Sequence, residues 1–432
     1  MTSISRRQFL QYGAGVIGAA TLLPSGIAAA QTRRPMRIGS HAKTFTYNLW
    51  SYDNPPGVKT LQQMVSAYNK TAEMKVNFKI STIAGSGATV YPAKIQSLIS
   101  SGSPPDLFLD WIGTLASPFV DEGAVQPLTA WYKHYGWNKV LLADAIHYVT
   151  FNGQPFEVPM AVNTLPVWYY KTAFQKAGVK VPKTYAEWEA TNNGLLKAGY
   201  IPAAEAVIDG WDIMRLFEQL LEMTAGPALH DHLLNLQASW NDHAVAEAFS
   251  LLKDWGDKWV EKGALGTNPT DAGLLFTSGK AAQSIQGPWE QGNLTAGTES
   301  EYDMFVPPGA HGPASRIGGF AQGYMIGSHV KGSALDALGE FFNWFIQAKQ
   351  SQKYFYDGGT ATIDGVPHNN KLGVKALHIT ETTGVYLIQD EALGTSLANS
   401  YFAIQQGVLA GSITPKAAAV KMSNAIGKQK KG

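Results

Sequence analysis

LFTSGKAAQSIQGPWEQG, residues Leu275–Gly292, is the stretch whose reading decides the fold. Leu275 and Phe276 suit a short buried helix that ends near Gly279. Ala281–Gln286 then reads as a short strand, and Gly287-Pro288 stops it, because proline has no N–H to give a ladder. Trp289 follows immediately. A large aromatic on the turn at a strand's end is placed to line a crevice. Composition alone favours a core plug, since tryptophan is usually mostly buried.

Other strand ends repeat the pattern. Phe45, Tyr47 and Leu49 alternate with polar residues and lead into Trp50-Ser51-Tyr52-Asp53. Leu61, Met64, Val65 and Tyr68 share one helical face. Val76, Phe78 and Ile80 alternate again before the flexible Gly85-Ser86-Gly87 turn. Ile95, Leu98 and Ile99 mark a second helix, and Asp106–Leu109 reads as a buried strand running into Asp110-Trp111. This β-α-β-α-β order argues for a parallel sheet with helices on both faces. Ligands bind such sheets beyond the carboxyl ends of the strands. Trp50, Asp53, Ser86, Asp110 and Trp111 all fall there, with aromatics beside carboxylates after two of the three strands.

At 432 residues the chain is too long for a typical single core, so two lobes are expected. A hydrophobic content of 45% and a net charge of +1 carry no nucleic-acid footprint. There is no cysteine, which excludes disulfides, thiolate catalysis, Cys-ligated zinc, iron–sulfur clusters and a lipidated cysteine anchor. Ser5-Arg6-Arg7-Gln8-Phe9-Leu10 resembles the twin-arginine export signal, with Gln11 in place of the usual lysine. An apolar Gly/Ala-rich run from Tyr12 to Leu23 and Ala28-Ala29-Ala30 complete it, so residues 1–30 are expected to be removed and the mature chain to start at Gln31. Loss of Arg6 and Arg7 takes the charge from +1 to −1.

No catalytic constellation stands out. Gly13-x-Gly15-x-x-Gly18 lies in the signal with no strand before it, and Gly273 with Gly279-Lys280 misses the P-loop spacing and hydroxyl. His230, His232 and His243 with Asp231 and Asp242 read first as solvated helix-end residues. Asp110 with Glu157 or Glu290 has the residue types of a glycosidase pair, but two carboxylates are equally expected where a sugar's hydroxyls are bound. No cofactor site is found. The stripes Ile213, Leu216, Phe217, Leu220 and Val245, Phe249, Leu252, Trp259 read as core faces, while Trp211 opens a helix and is the better cleft candidate.

Phe276-x-x-Gly279-Lys280-Ala281-Ala282, a strand and Gly287-Pro288-Trp289 resemble the most recognisable stretch of the family 1 extracellular solute-binding proteins, the maltose-binding-protein-like receptors of ABC importers. Phe151–Pro159 is similar to that family's D-G-K-x-Y-G-V-P hairpin, Val167–Tyr170 to its L-Y-Y-N strand, and Phe174–Val179 and Pro182–Trp188 to its F-E-K-A-G-L and P-K-T-W-x-E-F segments. Gly318–Gly323 resembles its returning strand, and Tyr354–Thr360 a helix end and glycine turn. The resemblance covers nearly the whole mature chain. It implies an α/β, two-lobed type II periplasmic-binding-protein fold, doubly wound sheets joined by a hinge. Lobe 1 is expected at 36–160 plus 318–371 and lobe 2 at 161–317 plus 372–432, with crossings near Met160, Gly318 and Lys371. It also implies a monomeric periplasmic receptor that delivers a carbohydrate or polyol to ABC permease subunits and their ATPase. Asp53, Asp110, Trp111, Trp211, Trp289 and Tyr401 match the family's ligand positions. Asn163 stands where the best-known member has glutamate; Trp50, Ser86, Gly319 and Gln322 rest on strand-end logic. An exported glycoside-active enzyme, a non-sugar receptor and a scaffold are the alternatives.

Overall fold

Alternating burial sets the first strand, β1 (Lys43–Tyr52): Tyr47 and Leu49 are buried while Thr46 and Asn48 face outward. The computed structural model describes residues 43–52, 55–83, 90–111, 116–347, 362–363 and 371–430. The expected signal segment, Asp53, Ser86 and Tyr354–Thr360 lie outside the described residues.

β1, β2 (Met74–Ile83) and β3 (Leu107–Trp111) are parallel in the order β3-β1-β2. Helices Pro55–Asn69 and Val90–Ser100 connect them, giving the β-α-β-α-β unit that the periodicity predicts. β3 is buried at every position, as expected of a strand covered on both faces. The sheet is mixed rather than all parallel. The long β11 (Arg316–Ile326) runs antiparallel to β3, and β6 (Glu157–Thr164) runs antiparallel to β11. β12 (Gly384–Leu387) is parallel to the first part of β11.

A second sheet has the order β10 (Tyr302–Phe305), β7 (Val167–Tyr170), β9 (Ala281–Ile285), β8 (Ile201–Ala203). β7 is antiparallel to both neighbours, and β8 is parallel to β9. The chain passes from the first sheet to the second at residues 165–166 and returns over 306–315. Met160 and Gly318, the expected crossings, lie within β6 and β11, and β12, beyond Lys371, still pairs in the first sheet.

Local chemistry sets the connections. Asn152 and Gly153, at φ 50° and 77°, form the two-residue turn between the strands β4 (Thr150–Phe151) and β5 (Gln154–Pro155). Thr184 Oγ1 accepts from Glu187 N at 3.3 Å while Glu187 Oε2 accepts from Lys183 N at 2.7 Å, starting the Tyr185–Lys197 helix as the sequence expects. The Trp211–Leu234 helix breaks at Gly226, whose φ of 69° and ψ of 161° precede Pro227. Its Ile213, Leu216, Phe217 and Leu220 are buried, and Phe217 meets Phe249 of the His243–Lys258 helix at 4.3 Å. Phe341 of the Gly332–Gln347 helix meets Tyr68 at 5.3 Å and Phe78 at 5.5 Å. Among the described residues no helix is long and apolar enough to cross a membrane.

Candidate functional site

β11 carries two strands end to end along one edge. β12 finishes with Leu387 opposite Gly319, while β3 arrives from the other direction and finishes with Trp111 opposite Gln322. β6 takes the other edge, with Thr164 opposite Gly319 and Ala161 opposite Gln322. Two carboxyl ends therefore face each other across Phe320 and Ala321. In open α/β sheets the carboxyl ends are where ligands bind, and here two of them share one gap.

Three further elements converge on it. β12 leads into the Gln389–Leu393 helix, whose Asp390 Oδ2 accepts from Trp211 Nε1 at 3.1 Å. Trp211 opens its own helix. Its ring lies 6.1 Å from that of Trp289 and 6.3 Å from Phe320, and Trp289 lies 5.7 Å from Phe320. Trp289 follows β9, and its ring folds back over Gly287, where a Cβ would collide with it. Gln286 Oε1 accepts from both Trp289 Nε1 at 3.1 Å and Arg215 Nη1 at 2.5 Å, fixing the ring against the helix. Arg215, fully buried, also stacks on Trp211 at 4.6 Å, pairs closely with Asp212 and reaches Glu205 at 3.9 Å.

The carboxylates of this region are the dominant electrostatic feature. Asp110, Glu157, Glu218, Glu290, Asp390 and Glu391 are each at most 2% exposed. Burial pushes Asp390 and Glu290 up to about 7. Burial raises Asp110 and Glu218 well above the ordinary range too. Glu157 is raised first by burial and then by Asp110; Glu391 by burial and then by Asp390, Asp110, Glu157 and Glu218. Asp110 and Gly323 are register partners, and a Cβ on Gly323 would lie 2.5 Å from Glu157 Oε2. Among the described residues, Asp110 Oδ2, both Glu157 oxygens, Glu218 Oε2, Glu290 Oε1 and Asp390 Oδ1 have no hydrogen-bond partner. Buried polar groups are almost always bonded, so each such atom calls for a reason.

The sequence candidates fall into two groups. Trp211 and Trp289 are half-buried and share one aromatic cluster, which Phe320 completes. Asp110, Trp111, Gln322, Gly319 and Asn163 lie on the three strands β3, β11 and β6 beside the strand-end gap. Trp111 packs on Tyr52 at 4.9 Å and Tyr91 at 5.5 Å. Trp50 stands beside them, its backbone oxygen accepting from Tyr91 Oη at 2.9 Å. Tyr401 is a correction. It is fully buried, with its ring on Phe217 at 5.6 Å and Trp240 at 5.8 Å, so it is a core ring rather than an open platform. Of the histidines read as solvated, His232 and His243 are exposed, but His230 is fully buried between Glu222, 2.7 Å from Nδ1, and Gln389. Arg215, Gln286, Glu218, Phe320, Asp390 and Glu391 were not legible as site residues. Gln286 and Phe320 lie in segments that read as strands, and nothing comparable marked the other four.

A sequence model of the bacterial extracellular solute-binding proteins matches residues 52–352. The chain belongs to that family. Among its relatives, a maltooligosaccharide ABC transporter solute-binding lipoprotein of Streptococcus pneumoniae is 24% identical over 357 residues, 80% of this chain and 78% of that one. The xylose/arabinose-binding protein XacG of Haloferax volcanii is 24% identical over 59% of this chain. Against several relatives the match spans about half of their length, 57% for XacG and 50% for an uncharacterised ABC transporter extracellular-binding protein of Pyrococcus horikoshii. Among solved structures, a chitin oligosaccharide binding protein superposes with a TM-score of 0.81 at 21% identity, over 90% of this chain and all of that one. A raffinose complex of RafE gives 0.74 at 17% identity, over 89% of this chain. The family's two-lobed α/β fold is thus the fold of this chain.

Proposed function

We propose that this protein is a periplasmic receptor that holds a carbohydrate or polyol at the Phe320–Ala321 edge and delivers it to the permease and ATPase of an ABC importer. The observation that carries this reading is the meeting of Trp211, Trp289 and Phe320 with buried carboxylates, several of which keep an oxygen without a hydrogen-bond partner among the described residues, where β3 and β12 end against each other. A sugar presents apolar C–H faces to rings and hydroxyls to carboxylates. The names of relatives that bind maltooligosaccharide or xylose and arabinose support the same class. The two sheets are the cores of two lobes that hinge through residues 165–166 and 306–315, and closure brings Trp111, Asp110, Asn163, Gly319 and Gln322 against the guest with Trp211 and Trp289. Trp50 belongs to the rim. The protein binds without turnover, acts as a monomer, and leaves the cytoplasm by the twin-arginine route.

Micromolar affinity requires about −8 kcal/mol, and aromatic contacts supply about 0.5–1.5 kcal/mol each beyond area. Hydrogen bonds and water exclusion on closure therefore contribute the larger share. Calorimetry of the chain from Gln31 against a sugar and polyol panel tests the reading. We expect at least one micromolar ligand and no turnover of chromogenic glycosides. Tight binding of an anion and of no sugar or polyol would overturn the carbohydrate claim. Replacing Arg6 and Arg7 by lysine should abolish export, read as retention of the uncleaved chain in the cytoplasm.

A further inference from the structure

We infer that Gln406 and Phe402, on the Thr395–Leu409 helix, position Trp211 for the guest without touching the guest themselves. The inference rests on reading Trp211 as a guest platform. It gives this helix a part in binding that Tyr401, closed in the core, does not supply. Trp211 is the first residue of its own helix, so its backbone goes where the preceding loop, Val207–Gly210, puts it. Gly210 N donates to Val207 O at 3.0 Å and closes the loop into a turn. Ile208 is 54% exposed and adds little packing. The loop is held from the Thr395–Leu409 helix instead. Gln406 Nε2 donates to Val207 O at 2.9 Å and to Ile208 O at 3.0 Å, so one side-chain amide ties two consecutive carbonyls.

Phe402 lies one turn before Gln406, on the same helical face. It meets the other end of the loop. Gly210 has a φ of 81°, and a Cβ added there would lie 2.4 Å from Phe402 Cβ and 3.1 Å from its Cα. The approach reaches the helix backbone, so a larger residue at 210 would fit only if the loop or the helix moved. Two anchors four residues apart thus fix both ends of a four-residue loop. The indole is oriented separately, by Asp390 at Nε1 and by Arg215 against its face. Those contacts set the ring's tilt only once its Cα is in place. With the loop released, Trp211 shifts against Trp289, 6.1 Å away, and the paired platform loses its shape.

The test uses Gln406→Met, which keeps the side chain's length and removes both donors, in protein labelled with 5-fluorotryptophan. The Trp211 fluorine signal is assigned by its loss in Trp211→Phe. We expect Gln406→Met to shift or broaden that signal. It should also weaken the tightest ligand of the sugar and polyol panel by about fivefold, the ordinary worth of a hydrogen bond. In the Trp211→Phe background the same change should alter affinity by less than about twofold, because the two residues act as one unit. Thr414→Ala removes the cap of the Pro415–Gln429 helix and controls for lost stability alone. It should lower the urea midpoint and leave both signal and affinity unchanged. An unmoved Trp211 signal in Gln406→Met overturns the inference, as does an equal shift in Thr414→Ala. So does a loss of affinity that is the same with and without Trp211. If no sugar or polyol binds, the carbohydrate reading fails, and the fluorine signal still decides whether Gln406 places Trp211.

Discussion

Gln286 shows how much of this site depends on single polar atoms. Its Oε1 receives both Trp289 Nε1 and Arg215 Nη1, so Gln286→Ala leaves two donors without an acceptor. A loss of about 1–3 kcal/mol in unfolding free energy is expected, together with weaker guest binding as the Trp289 ring loses its anchor. Arg215→Met goes further, because Glu205 and Asp212 remain buried without their cation. Breaking such a pair costs about 3–5 kcal/mol. Urea unfolding should show that loss at pH 7.5 and a smaller one at pH 5, where the carboxyls hold protons. Trp289→Ala should weaken the guest at least tenfold while leaving the circular dichroism unchanged. Trp211 and Trp289 were readable in the sequence because each follows a visible break, Gly210 or Gly287-Pro288. Arg215 and Gln286 were not. A polar residue inside a helical stripe or at a strand's last position looks solvated until its tertiary neighbours are known.

The Gln389–Leu393 helix and β11 set how the protein responds to pH. Asp390 and Glu290, raised by burial to about 7, ionise near 4 in an unfolded chain. Between those values the folded chain holds more protons, so its stability falls as pH rises from about 4 to about 7. The slope is up to about 1.4 kcal/mol per pH unit for each group. The urea midpoint of the guest-free protein should therefore decline from pH 5 to pH 7.5, and Asp390→Asn should flatten the decline. Glu222 runs the other way: burial alone would raise it, but hydrogen bonds from His230 and Arg316 hold it below its ordinary value. Its contribution is lost only at pH below this window. The β1–β3 unit was legible because period-2 and period-3.6 patterns alternate there. The pairing of β11 with β3, β6 and β12 was not, since nothing local in Gly318-Gly319-Phe320 records which strands lie beside it. The gap where β3 and β12 meet is a product of that pairing, and so the full carboxylate set stayed hidden.

At the scale of the molecule, the proposed function requires closure by rotation about residues 165–166 and 306–315, which link the two sheets. Solution scattering should record a smaller radius of gyration once the guest is added. The lobed architecture was legible from length, from the order of strands and helices, and from the resemblance to a family. The crossing points were displaced by several residues because β6 and β11 continue their pairing past the expected boundaries. The most direct measurement is a crystal structure of the complex with the tightest ligand of the sugar and polyol panel. It should place a sugar ring against Trp289 and Trp211, over Phe320–Ala321, with hydrogen bonds to Asp110 or Asp390. A ligand found elsewhere on the chain, or one touching neither tryptophan, would contradict the account.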